Sequence, residues 1–134
     1  MRSTTQRSLK LARDLGWHVE VVEKWIVIPG IPGGGKRRDL YGAVDIMGIR
    51  QGYAGTFGIQ SCAGQGALAK HKVTALESKP LVLYASTNRF EIWSWDKRGP
   101  RGKRKVYTVK RWRLHLRSVA DGGSWWEDVS DEPI

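Results

Sequence analysis

Cysteine is almost missing from this 134-residue chain, and Cys62 is its single thiol. One thiol can build neither a disulfide framework nor a cysteine-rich zinc site. His18, His71 and His115 stand at no ligand spacing, which also argues against structural zinc. Long apolar runs are missing as well. The longest, Trp25–Ile28 and Leu81–Ala85, are strand-sized, far short of the roughly 20 residues a membrane span needs. No apolar signal core follows Met1–Thr5, so a soluble, cytoplasmic protein is expected. Proline is sparse at 5 residues, while apolar residues make up 40% and aromatics 10%. That composition can bury a core, and the length suits one domain.

Negative charge is scarce over most of the chain. Against 23 Lys and Arg there are 13 Asp and Glu, a net +10. Five of those acids (Asp121, Glu127, Asp128, Asp131, Glu132) fall in Ala120–Ile134, which holds no base. Residues 1–119 therefore carry 23 bases against 8 acids, or +15. A body this basic has the electrostatic footprint of a nucleic-acid binder. An anionic membrane surface fits less well, because no basic amphipathic helix shows an aromatic face. The change in composition divides the chain into a basic body, 1–119, and an acidic tail, 120–134, expected to be loose. Trp125 and Trp126 are unusual in such a tail and suit docking on the body.

Periodicity predicts a helix over Thr4–Leu15, capped by Thr4 or Thr5 and stopped at Gly16. Strands are predicted over Trp17–Ile28, Leu40–Ile49 and Thr56–Cys62, with Pro29–Lys36 a flexible glycine-rich loop. A helix over Ala67–Leu76 leads to strands over Leu81–Ala85, Arg89–Trp95 and Val106–Leu116. The order implies an α/β fold on a mixed sheet flanked by helices.

Gly30–Lys36 has the spacing of a phosphate-cradling loop, but Arg37 stands where Ser or Thr should hold magnesium. A strand, not a helix, follows, so the cradle has no helix N-terminus to aim at phosphate. The second strand is more informative. Asp45 lies inside an apolar run, and a buried carboxylate needs a cationic, hydrogen-bonding or metal partner. Asp39 shares its parity but lies ~20 Å away along a regular strand, so the two meet only if the chain bends near Gly42. On the third strand Phe57 and Ile59 face one way, and Gly58, Gln60 and Cys62 the other. Asp45 and Gln60 on neighbouring antiparallel strands suit a hard cation, magnesium or manganese.

Asp45-Ile46-Met47-Gly48-Ile49, a glycine turn, Gly58-Ile59-Gln60-Ser61-Cys62 and the following helix together resemble the PD-(D/E)XK nuclease superfamily. Within it the sequence is similar to small phage and archaeal-type Holliday-junction resolvases. The resemblance covers roughly residues 4–96 and implies a restriction-endonuclease-like core. It implies a Mg²⁺- or Mn²⁺-dependent endonuclease acting on DNA phosphodiesters, with branched DNA as substrate and a homodimer as the working unit. Two departures stand out: Gln60 replaces the usual Glu, and Cys62 the usual Lys. The metal ligands implied are Asp45, Gln60 and, in place of a glutamate missing from the first helix, Glu20 or preferably Glu23. A lysine from the next helix, Lys70 first and Lys72 second, would complete a catalytic set of Asp45, Gln60 and Lys70. With no such lysine, the alternative is a non-catalytic nucleic-acid-binding protein on the same fold. A nucleoid-type basic protein is a third reading.

DNA contacts are expected from Lys36, Arg37 and Arg38 and from the basic stretch starting at Lys97, chiefly Arg101, Lys103, Arg104, Lys105, Lys110, Arg111 and Arg113. From Lys97 to Val119 there is no acid, so a polyanion is expected to neutralise these charges. Trp93 and Trp95 are expected in the core, and Trp112 at the surface. No recognition helix accompanies the charge, which favours backbone and shape recognition over base readout.

Overall fold

The computed structural model describes residues 3–27, 29–30, 35–99, 106–115 and 126–134. Helix α1 (Thr4–Asp14) is capped by Ser3, not by Thr4 or Thr5. The Ser3 hydroxyl accepts from the Gln6 N–H at 3.1 Å, and the Gln6 side chain accepts from the Ser3 N–H at 3.2 Å. This reciprocal box satisfies two orphan donors of the first turn.

The expected strand Trp17–Ile28 is broken at Val22–Glu23 into β1 (His18–Val21) and β2 (Lys24–Val27). Part of the expected glycine loop is a strand, β3 (Gly35–Arg38), which pairs with β2 in a separate two-stranded sheet. The strand expected over Leu40–Ile49 begins only at Ile46 (β4, Ile46–Ile49), because residues 40–44 form a tight turn. Strand β5 (Phe57–Ala63) follows, then α2 (Gln65–Glu77) and α3 (Lys79–Thr87). Leu81–Ala85, expected as a strand, lies inside α3. A five-residue apolar run cannot by itself separate strand from helix. Here Ser78 caps Leu81 N–H, Pro80 sits in the first turn, and the run bridges two parallel strands. Strands β6 (Arg89–Arg98), β7 (Val106–Leu114) and β8 (Trp126–Asp128) complete the chain.

The main sheet has six strands in the order β1-β4-β5-β6-β7-β8, with β5 and β6 parallel and the other neighbours antiparallel. Helices cover both faces. Ala12, Trp17, Ile46, Phe57, Ile59 and Trp93 form one buried layer on the α1 side. Val44, Leu68, Ala75, Leu81, Phe90 and Ile92 form another beneath α2 and α3. Along β5 the alternation is as expected: Phe57 and Ile59 enter the first layer, while Gly58, Gln60 and Cys62 face the second. Trp93 and Trp95 belong to the first layer, and Trp112 packs on the second.

Residues 126–134 are not a loose tail. β8 pairs with β7, Val129 is buried, and the Trp17 indole donates to the Ile134 carbonyl at 3.0 Å. Trp126 packs on the core as expected of a docking residue, whereas Trp125 lies outside the described residues.

Candidate metal centre

The bend that the sequence required for Asp39 and Asp45 to meet is present. Tyr41 and Gly42 take positive φ of 56° and 77°, and Leu40 and Val44 bond each other through both N–H groups at 3.0 and 2.8 Å. Such a turn reverses the chain within five residues, and glycine adopts that backbone without strain. Asp39 precedes the turn and Asp45 follows it. Asp45 N–H donates to Ile59 O at 3.0 Å, and the Asp45 carboxylate accepts from Ser61 N–H at 2.8 Å. These bonds straddle Gln60, which lies between their two partners on β5. Val22 N–H donates to Asp45 O at 2.8 Å, which brings Glu23 to the same place. Carboxylate oxygens of Glu23, Asp39 and Asp45 all lie within 4.8 Å of one another.

Asp45 is buried, and its pKa is pushed up to about 8. Burial is the largest cause. A hydrogen bond shared with Asp39 and the charges of Asp39 and Glu23 raise it further, while the Ser61 N–H opposes them. Gln60 is 3% exposed. Its amide nitrogen bonds His71 Nδ1 at 2.9 Å, and its carbonyl oxygen, also buried, has no hydrogen-bond partner among the described residues. Burial lowers the His71 pKa, while the charge of Asp39 acts to raise it.

This donor set fits a hard divalent cation on two counts. Three carboxylates crowd together with a proton held on Asp45, and the buried amide oxygen of Gln60, on the strand that Asp45 bonds, has no hydrogen-bond partner among the described residues. Glu23, Asp39, Asp45 and Gln60 offer oxygen only, the preference of Mg²⁺ or Mn²⁺ over zinc.

The remaining sequence-derived residues divide clearly. Glu20 is exposed on β1 and is not in the cluster. Lys70 is exposed on α2 next to His71, its charge felt there. Lys72 is directed elsewhere, with its ammonium 3.5 Å from the centre of the Trp112 ring. Cys62 is buried, and burial raises its thiol pKa against a hydrogen bond to Ser94. The sequence missed His71, whose neighbours Lys70 and Lys72 made it look like part of a solvated face.

Two expected DNA contacts are engaged within the protein, Arg111 by burial and Arg113 by ion pairs. Arg111 is 1% exposed, pairs with Glu91 at 3.2 Å and donates to the carbonyls of Val129 and Glu132. Arg113 pairs with Glu91 at 2.9 Å and with Glu132 at 3.0 Å. Protein carboxylates pair with both. Burial alone would raise the Glu91 pKa, but Arg89, the Trp93 N–H and Arg111 outweigh it and hold the carboxyl below its usual range. Lys110 remains exposed on β7. Arg101, Lys103, Arg104 and Lys105 lie outside the described residues, as do the side chains of Lys36, Arg37 and Arg38 on β3. No family model matches the chain, and neither a curated protein nor a solved structure matches it.

Proposed function

We propose that this chain is a Mg²⁺- or Mn²⁺-dependent endonuclease that hydrolyses DNA phosphodiester bonds. The observation that carries the reading is the convergence of Glu23, Asp39 and Asp45 within 4.8 Å of one another, on a strand end where Asp45 bonds Ile59 and Ser61 on either side of Gln60, whose buried amide oxygen has no hydrogen-bond partner among the described residues. The element order supports a restriction-endonuclease-like core: a helix, three antiparallel strands β1, β4 and β5, a helical crossover, and β6 parallel to β5. On that core Asp45 stands at the start of the second strand and Gln60 inside the third, the positions the PD-(D/E)XK resemblance assigns to ligands.

Glu23, Asp39, Asp45 and Gln60 are the residues to hold the cation. When bound, a divalent cation supplies polarisation of a phosphoryl oxygen and a water of lowered pKa. Asp45, its pKa raised by burial, holds a proton that a bound cation would displace. Lys70, beside His71 on α2, takes the role of orienting water or offsetting charge on the phosphate. Lys110 and the basic positions on β3 grip the DNA backbone. A branched substrate and a homodimer, both implied by the resemblance to junction resolvases, belong to the same proposal.

A second reading has its own observation. Cys62 fills the lysine position with a buried thiol, so the same fold binds nucleic acid without cutting it. Cleavage of a labelled four-way junction and its matching linear duplex decides between them, run with Mg²⁺, Mn²⁺ or EDTA beside Asp45→Asn. Metal-dependent nicking that Asp45→Asn loses is the expected result, with the junction cut in preference. Tight binding without cutting in either metal establishes the non-catalytic reading instead.

A further inference from the structure

We propose that His71 is a positioning residue that fixes the amide of Gln60, keeping its carbonyl oxygen available as the fourth oxygen donor of the cation site. The inference rests on the metal-centre reading above and extends it to a residue outside the ligand set.

An amide has two nearly isosteric ends, and only the oxygen can hold a cation. Glutamine at a ligand position therefore carries a liability that glutamate lacks: half of its orientations present N–H groups to the metal. Gln60 is buried to 3% exposure on β5, so water does not settle which end turns where. Among the described residues its nitrogen bonds His71 Nδ1 on α2, at 2.9 Å. A glutamine nitrogen can only donate, so Nδ1 is the acceptor and the imidazole carries its proton on Nε2. The amide nitrogen is then turned to α2, and the oxygen stays without a partner. Asp45 bonds the residues on either side of Gln60, and Gln60 bonds His71, so a chain of contacts runs from the carboxylates through Gln60 to the imidazole.

The same bond explains why His71 does not serve as a ligand. Its Nδ1 lone pair is committed to Gln60, which leaves the site with oxygen donors alone. Partners that orient a ligand typically change metal affinity by about 10–100-fold when removed.

The test is Mn²⁺ binding, followed by calorimetry and by the spin-resonance signal of free Mn²⁺, on the full chain. His71→Ala is expected to weaken Mn²⁺ about tenfold or more. His71→Asn, whose side-chain oxygen accepts from the same nitrogen, is expected to restore most of the affinity. In a Gln60→Glu background both ends of the side chain are oxygens, so His71→Ala is expected to cost little. A purely structural role for His71 would give the same loss in both backgrounds, and that result overturns the proposal. Unchanged affinity in His71→Ala overturns it as well, while leaving the metal centre intact. Absence of Mn²⁺ binding by the unaltered chain overturns both together. Thermal melts of each variant without metal check that the fold is retained.

Discussion

Asp45 makes the acid–base behaviour of the site measurable. Its pKa of about 8 means that at neutral pH Asp45 holds a proton, which a cation bound at the proposed site would displace. Apparent Mn²⁺ affinity is therefore expected to rise about tenfold per pH unit from pH 6 to 8 and to level off above, as calorimetry would show. Stability without metal runs the other way. The folded chain keeps a proton that the unfolded chain releases near its ordinary value of 3.8, so stability declines as pH rises from about 4 to 8 and is flat beyond. Asp45→Asn is expected to remove both dependences and to raise the melting temperature at pH 8. Glu91 is the opposite case, a fully buried carboxylate held ionised by Arg89, Arg111 and Arg113. Glu91→Gln leaves those guanidinium groups facing one another and is expected to cost about 3–5 kcal/mol in urea denaturation.

Elements meet the site through close packing. Gly58 on β5 has no room for a side chain: an added Cβ would lie 2.9 Å from a ring carbon of Tyr84 on α3. The Tyr84 hydroxyl in turn bonds Thr56 at 2.6 Å. Gly58→Ala is expected to cost about 1–3 kcal/mol by displacing that ring, and Tyr84→Ala in the same chain should recover part of it in a double-mutant cycle. Ser78 joins the helices to the bend that assembles the cluster. It caps α3 at Leu81 and donates to Tyr41 O at 2.7 Å, inside the turn between Asp39 and Asp45.

Across the whole molecule the positive charge is not uniformly available to a polyanion. Arg111 and Arg113 hold the C-terminal segment against β7, through the carbonyls of Val129 and Glu132 and the Glu132 carboxylate. Deleting 126–134 would strip buried Arg111 of backbone partners and uncover Val129's site, with an expected fall in melting temperature of about 10 °C or more. For DNA binding the salt dependence separates the two kinds of base. Lys110→Ala is expected to reduce the log–log salt slope by about 0.9, one phosphate contact, whereas Arg113→Lys, in a residue already paired with Glu91 and Glu132, should leave it unchanged.

Residue chemistry and strand alternation were legible in the chain itself. A carboxylate in an apolar run had to find a partner, and the parity of β5 put Gln60 and Cys62 on one face because side chains alternate along any strand. The mixed sheet with flanking helices followed from the order of apolar segments. Tertiary structure decided the rest. A five-residue apolar run became part of α3 because a parallel crossover and the Ser78 cap favoured helix over strand. Asp39 joined Asp45 because Tyr41 and Gly42 reversed the chain, which local propensity permits but does not require. His71 gained its contact with Gln60, and Arg111 and Arg113 theirs with Glu91 and the last residues, through pairings distant in sequence. Such pairings depend on which elements become neighbours, and a basic residue bound to phosphate and one buried against a carboxylate look the same in sequence.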